Sequence, residues 1–230
     1  MKAHQRLIRE KIANSPPLDL FGEWWKYLNL SLQDTEIREI DYPTAEKIIL
    51  EYEWLGTMPP FVHKMFGIFF DGYCGGALVF SQRTEKNLAG VKESFIPEDA
   101  LYLSRGACTH WTPKNTASYF ISRVCRSLGN ISVLAYADVT AGEIGQIYQA
   151  LNWHCFPPGK GGPTGYKVGE KIFCGRELQR IQKTRGKPTE DSVPILRKTR
   201  YVGVYGDRRW KRRMDERLRP HAIRYLRRAR

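Results

Sequence analysis

Residues 135–153 read AYADVTAGEIGQIYQALNW, and they follow directly on the apolar stretch ISVL at 131–134. A β-branched and apolar run that stops on Asp138, followed by a turn and the helical spacing of GEIGQIYQALNW at 142–153, predicts a strand leading into a helix. In an α/β sheet, ligands gather beyond the carboxyl ends of parallel strands, so a carboxylate at that position is a candidate for chemistry. Ten residues on, Tyr148 shares a helix face with Leu151 and Asn152. Its ordinary role would be a core tyrosine with a satisfied hydroxyl.

The pattern repeats on the N-terminal side. ALYLSRGACTHW at 100–111 predicts a strand, and PKNTASYFISRVCRSLG at 113–129 a helix with the stripe Tyr119, Phe120, Val124 and Leu128, ended by Gly129. Further upstream, two aromatic and β-branched runs joined through DGYCGG at 64–82 predict a β-hairpin. PTAEKIILEYEWL at 43–55 predicts a helix burying Ile48, Ile49, Tyr52 and Leu55, stopped by GTMPP. LDLFGEWWKYLNLSL at 18–32 places Leu18, Phe21, Trp24, Trp25 and Leu28 at helical spacing, and YKVGEKIFCGREL at 166–178 predicts a closing strand or hairpin. Strands alternating with helices predict the α/β class, a mixed central sheet flanked by helices. No internal repeat is present.

Charge divides the chain. Residues 1–175 hold 18 basic and 18 acidic residues and residues 176–230 hold 19 and 6, so the entire net charge of +13 lies in the last quarter. The expected organisation is a domain over 1–175 and a basic extension over 176–230, in which Tyr201, Tyr205, Trp210 and Tyr225 interleave with arginines. Forked guanidinium groups suit phosphates and aromatic rings suit bases, so Arg197, Lys198, Arg200, Arg208, Arg209, Lys211, Arg212 and Arg213 are candidates for nucleic-acid contact. A solvated tail, or one pinned to the domain by its aromatics, is the alternative.

Five widely spaced cysteines without a C-x-x-C pair argue against a disulfide framework and a structural zinc site, and no metal is expected. Neither a membrane span nor a signal-peptide core is evident, which predicts a cytosolic protein without a membrane partner.

A second strand end joins Asp138. LYLSRGAC carries Ser104 and Arg105 after an apolar run, so adjacency of the two strands would bring Arg105 and Asp138 to one edge of the sheet. A structural ion pair would look the same in sequence.

The strand-helix-strand-helix segment from about 100 to 153, with GQIYQALNW, resembles the second half of the Gcn5-related N-acyltransferase (GNAT) fold. That resemblance implies Tyr148 as the acid that protonates the leaving group. The family's glycine-rich loop for the coenzyme A pyrophosphate should precede the helix near 115, where this chain reads HWTPKNTAS without a glycine. Backbone approach to a pyrophosphate is then unsupported, and acetyl-CoA is disfavoured as donor. A narrower resemblance covers about 40–175: EYEWLGTMP, LYLSRGAC and YADVTAGEIGQIYQALNW, with the basic tail, are similar to the Mom family of phage DNA-modification proteins. Those proteins are divergent GNAT-superfamily members that convert DNA adenine to its N6-carbamoylmethyl derivative and so evade restriction in the bacterial host cytoplasm.

The implied product, purine–NH–CH2–C(O)NH2, contains the skeleton of glycine, which acetyl transfer cannot supply. An activated glycine, with glycyl-tRNA as the expected donor, would acylate N6 of adenine, and a rearrangement would follow. The implied catalytic residues are Asp138 for the proton of the amine, Arg105 for the carbonyl oxygen and Tyr148 for the leaving hydroxyl. Asp138 binding the glycine ammonium is the other reading. Tyr52 and Trp54 would stack on the extruded base. Ser104, beside Arg105, would contact the substrate, and Lys114, Asn115 and Ser118 would meet a phosphate or ribose at a helix start. Double-stranded DNA and tRNA are the implied partners. Two other classes stay open: an acetyl-CoA-dependent N-acetyltransferase of a protein or small amine, and a non-catalytic DNA-binding protein on this scaffold.

Overall fold

The hairpin expected at 64–82 anchors the sheet. Strands β2 (Lys64–Phe70) and β3 (Tyr73–Ser81) pair antiparallel across Asp71 and Gly72, both with positive φ. The computed structural model describes residues 10, 24–53, 55–82, 97, 100–138, 143–157, 164–168, 171–174, 192–194 and 198–225. Around the hairpin stand β1 (Glu36–Glu39), β4 (Leu101–Cys108), β5 (Ile131–Ala137), β6 (His154–Phe156) and β10 (Thr199–Tyr205). The seven strands run in the order β1-β2-β3-β4-β5-β10-β6, and only β4 and β5 are parallel neighbours. Strands β7 (Thr164–Val168), β8 (Lys171–Cys174) and β9 (Ser192–Pro194) form a small antiparallel sheet in the order β8-β7-β9. The fold is a mixed α/β sheet flanked by helices, as expected.

Helix α1 (Tyr42–Tyr52) forms because Asp41 accepts from the Thr44 N–H and Pro43 sits in the first turn, while Ala45, Ile48, Ile49 and Tyr52 make one apolar face. That face covers Ala77, Val79 and Ala107. Alternation sends Leu78, Phe80, Leu101, Leu103, Val133 and Ala135 to the opposite face, where α2 (Thr116–Ser127) buries Phe120, Ile121, Val124 and Cys125 against them. Each such apolar side chain contributes about 1.5–3 kcal/mol by leaving water. Helix α4 (Arg208–Leu218) seats Leu218 on Leu134, Phe156 and Val202, on the side away from α2.

Three expectations need correction. At 18–32 the described part is a 3-10 turn, Trp24–Tyr27, after which Leu28, Leu30 and Leu32 pack on the core; residues 11–23 lie outside the described residues. The helix expected at 142–153 is a single short one, α3 (Gln146–Ala150). The boundary at 175/176 also fails, because β10 pairs with β5 along all seven of its residues and joins β6 on its other side. Strand β10 of the supposed extension is thus an interior strand of the sheet, second from its β6 edge. Among the described residues no helix is long and apolar enough to cross a membrane.

Candidate active site at the parting of two strands

The parallel pairing of β4 and β5 is brief. It joins Leu101 to Val133 and Tyr102 to Leu134, and ends there, although β4 continues to Cys108 and β5 to Ala137. Beyond that point the carboxyl ends part. A β-bulge decides what faces the parting: Val79 pairs with Arg105 and Phe80 with Leu103, which leaves Ser104 as the extra residue. Without it, alternation would send Arg105 to the same face as Leu101 and Leu103, into the core. With it, Arg105 turns toward the end of α1. Ser104 is the pin, its Oγ donating to the Val79 carbonyl at 3.0 Å and bonding the Ser81 hydroxyl at 2.9 Å, so its expected role beside a substrate gives way to a structural one.

Arg105 donates from Nε to the Thr57 carbonyl at 2.7 Å, from Nη1 to the Ser104 carbonyl at 2.7 Å and from Nη2 to the Thr57 hydroxyl at 3.3 Å. Three of the five N–H groups of a guanidinium are thereby used, and among the described residues the other two make no hydrogen bond, which leaves them for an oxygen. Glu53, the C-cap of α1, stands 3.9 Å from Arg105 Nε and accepts the Leu55 N–H at 2.8 Å. Burial pushes its carboxyl up to about 7, despite the guanidinium and the Leu55 bond.

From the other strand, Asp138 is buried and holds Lys198 Nζ at 3.2 Å through Oδ2. The Asp138 N–H donates to Glu143 Oε2 at 3.2 Å, and the Glu143 N–H returns to the Asp138 carbonyl at 3.0 Å. Burial raises the Glu143 carboxyl; the Asp138 N–H and Lys198 offset part of this, and the Asp138 charge adds to it. The charges of Glu143 and Lys198 are also felt at Glu53, so the two strand ends form one electrostatic cluster. Its members are Glu53, Arg105, Asp138, Glu143 and Lys198.

Tyr148 closes the cluster from α3. Its ring stacks on Trp153 at 5.1 Å and leans on Tyr201 at 5.2 Å. Burial, followed by the charge of Glu143, raises its phenol far above the ordinary value, so the hydroxyl keeps its proton and acts as a donor. The support beneath it is tight. Tyr201 donates to the Ile144 carbonyl at 2.7 Å, and Gly145, at φ +69°, leaves room for the Tyr201 ring where a Cβ would lie 2.4 Å from it. Trp153 lies flat on Gly203 and donates to the Tyr205 hydroxyl at 2.8 Å.

The remaining candidates divide. Tyr52 is 7 % exposed, packs with Ile49 and Met58, stacks on His110 and bonds its Nδ1 at 3.0 Å, so its ring is committed to the core instead of a base. Trp54 and Arg197 lie outside the described residues. Lys114 and Asn115 are exposed in the turn leading into α2, where Asn115 takes φ +70° without a side-chain cap; Ser118 Oγ donates back to the Asn115 carbonyl at 3.0 Å. Arg200 is 1 % exposed and donates from Nε and Nη2 to the Pro157 carbonyl at 3.0 and 2.7 Å, which removes it from any surface. Lys198 belongs to the site. Arg208, Arg209, Lys211, Arg212 and Arg213 stand exposed on α4, with Arg212 paired to Glu216 at 2.9 Å and Arg213 over the Trp210 ring at 4.8 Å. Glu53 and Glu143 are the members that sequence reading missed, and Lys198, expected at nucleic acid, pairs with Asp138 instead.

Among solved structures, the chain is similar to a histone acetyltransferase HPA2 and related acetyltransferase from Corynebacterium glutamicum (11% identity, TM-score 0.40, 73% of this chain and 94% of that one). It is also similar to an N-acetyltransferase from Staphylococcus aureus (12%, 0.40, 74% and 98%) and to a mutant agmatine N-acetyltransferase in its apo form (14%, 0.39, 74% and 100%). No curated protein matches the sequence. The sequence model of the Mom protein family matches residues 34–222, which run from before β1 to beyond α4, and the chain therefore belongs to the Mom protein family.

Proposed function

We propose that this chain is an acyltransferase that modifies adenine in DNA, using glycine activated as an ester, with glycyl-tRNA as donor. The observation that carries the reading is the convergence of Arg105, Asp138 and Tyr148, with Glu53 and Glu143, at the parting of β4 and β5 in a chain of this family. The chemistry proceeds in two balanced steps. N6 of adenine attacks the glycyl carbonyl, the N–C bond forms, the ester C–O bond breaks, and the tRNA hydroxyl leaves with a proton. The glycine amine then attacks purine C6 and expels the original N6, which becomes the terminal amide of purine–NH–CH2–C(O)NH2.

Each step has a residue suited to it. The two open N–H groups of Arg105 meet the oxyanion of the first step, Tyr148 gives its proton to the leaving oxygen, and the carboxylates of Asp138 and Glu143 hold the glycine ammonium. The buried setting strengthens all three interactions. The exposed cations of α4 supply phosphate contacts for duplex DNA, whose target base must leave the stack to reach a buried cluster. The loop HWTPKNTAS lacks the glycines a coenzyme A pyrophosphate would need, which accords with an aminoacyl donor.

The test is nucleoside mass spectrometry of DNA from cells expressing the wild type beside an Asp138→Ala, Tyr148→Phe double variant. Adenosine heavier by one glycyl unit is expected in the first and absent in the second. Unmodified DNA in both would overturn the reading and direct attention to acetyl-CoA binding.

A further inference from the structure

We propose that Glu53, and not Asp138, accepts the proton that N6 of adenine sheds as it attacks the glycyl ester; this rests on the glycyl-transfer reading above. Three observations carry it. First, the carboxylate is fixed but half free: Oε2 takes the Leu55 N–H at 2.8 Å and lies 3.9 Å from Arg105 Nε, while Oε1 makes no hydrogen bond among the described residues. Asp138, in contrast, spends Oδ2 on Lys198 at 3.2 Å, an ion pair that an incoming proton would break. Second, Glu53 stands beside the guanidinium that serves the carbonyl oxygen, so one group receives the proton while its neighbour stabilises the charge forming one bond away. Third, Glu53 is the C-cap of α1, its backbone held by the Ile49 carbonyl, and its side chain is only 12% exposed. A base on a rigid, dry support keeps its aim.

The step balances. The N6–H proton passes to Glu53 Oε1 as the N–C bond forms, the ester C–O bond breaks, and the departing oxygen takes the proton of Tyr148, which solvent restores. The groups facing Glu53 are Arg105 and Tyr102 from β4, Glu143 from the segment before α3, Tyr148 from α3 and Lys198, the residue before β10. Burial sets its carboxyl near neutrality, the two cations lower it, and Glu143 raises it.

The experiment is a single-turnover pH profile of the purified full chain with glycyl-tRNA and duplex DNA, read by nucleoside mass spectrometry. The wild-type rate should climb with pH through a single ionisation near neutrality and then level, because only the carboxylate accepts. Glu53→Gln, which keeps the shape and the Leu55 bond, should lose about a hundred- to ten-thousand-fold in rate and flatten that limb. Asp138→Asn should be slower but retain it. Glu53→Asp, a second variant should the first fold poorly, keeps a carboxylate and should keep the limb with a lower plateau. A limb that persists in Glu53→Gln, or disappears in Asp138→Asn, overturns the assignment while leaving glycyl transfer standing. A wild type that modifies no DNA overturns both.

Discussion

The parting of β4 and β5 and the outer face of α4 both gather charge, yet they do so in opposite ways. At the parting, three carboxylates and two cations are held together, Asp138 buried and Glu53, Arg105 and Glu143 partly so, each shifted or paired by its neighbours. On α4 the cations outnumber the carboxylates, stand exposed and are loosely tied, with Arg212 to Glu216 as an exposed i, i+4 pair. Burial is the difference. It turns a charge into an instrument that can move a proton, whereas exposure leaves it to attract a polyanion from a distance.

Substitutions in the two regions should accordingly separate in kind. The largest effect falls on the cluster: Tyr148→Phe, which keeps the stack on Trp153 and removes only the hydroxyl, should slow DNA modification by about 10²–10⁴-fold with little change in melting temperature. Modification at the wild-type rate would leave α3 without a catalytic role. Next stands the support. Trp153→Ala should cost about 3–5 kcal/mol in denaturant unfolding, since it empties the centre of the core beneath Tyr148.

The pH dependence of stability sharpens the contrast further. Glu53 has a folded carboxyl near 7 against an ordinary 4.5, so between those values the folded state binds the extra proton and stability falls as pH rises. Glu53→Gln should therefore be more stable than wild type above about pH 7, by up to about 3 kcal/mol, with the gain vanishing below about pH 4.5. Denaturant curves at both ends check this, and an equal difference at both would refute the burial argument. Two arginines close in sequence give a direct comparison: Arg200→Ala strips a buried side chain from the Pro157 carbonyl and should cost about 3 kcal/mol, whereas Arg209→Ala should stay within about 0.5. The smallest effect on folding carries the DNA expectation: replacing Arg208, Arg209 and Lys211 together should leave stability nearly unchanged and flatten the salt dependence of DNA affinity by about 0.9 in log–log slope for each phosphate no longer neutralised.

What the sequence disclosed followed local periodicity. The hairpin at 64–82 and the strand stopping on Asp138 carry their burial pattern within a dozen residues and stand as expected, while the helix expected at 43–55 forms but stops at Tyr52, leaving Leu55 beyond its end. Strand β10 did not, because TRYVGVY sits inside an arginine-rich run whose composition outweighs its alternation; Thr199 and Arg200 are buried by pairing with β5 and β6, which no local pattern encodes. Strand β1 is a four-residue charged edge, nearly invisible to hydrophobic patterning. At the site, Arg105 and Asp138 were legible from the ends of their strands. Glu53 was not: it lies within EYEWLG, where the aromatics drew the reading, and its value comes from a bulge at Ser104 that turns Arg105 toward it. Lys198 was assigned to nucleic acid with the rest of the charge run that disguised β10, although it pairs with Asp138.

The most direct measurement feeds glycine labelled with ¹³C and ¹⁵N to cells expressing the chain and fragments the modified adenosine by mass spectrometry. Glycyl transfer with rearrangement predicts both labelled carbons in the added unit, the labelled nitrogen attached to purine C6, and an unlabelled terminal amide released as ammonia. An added unit without the label, or labelled ammonia from the amide, would contradict the account.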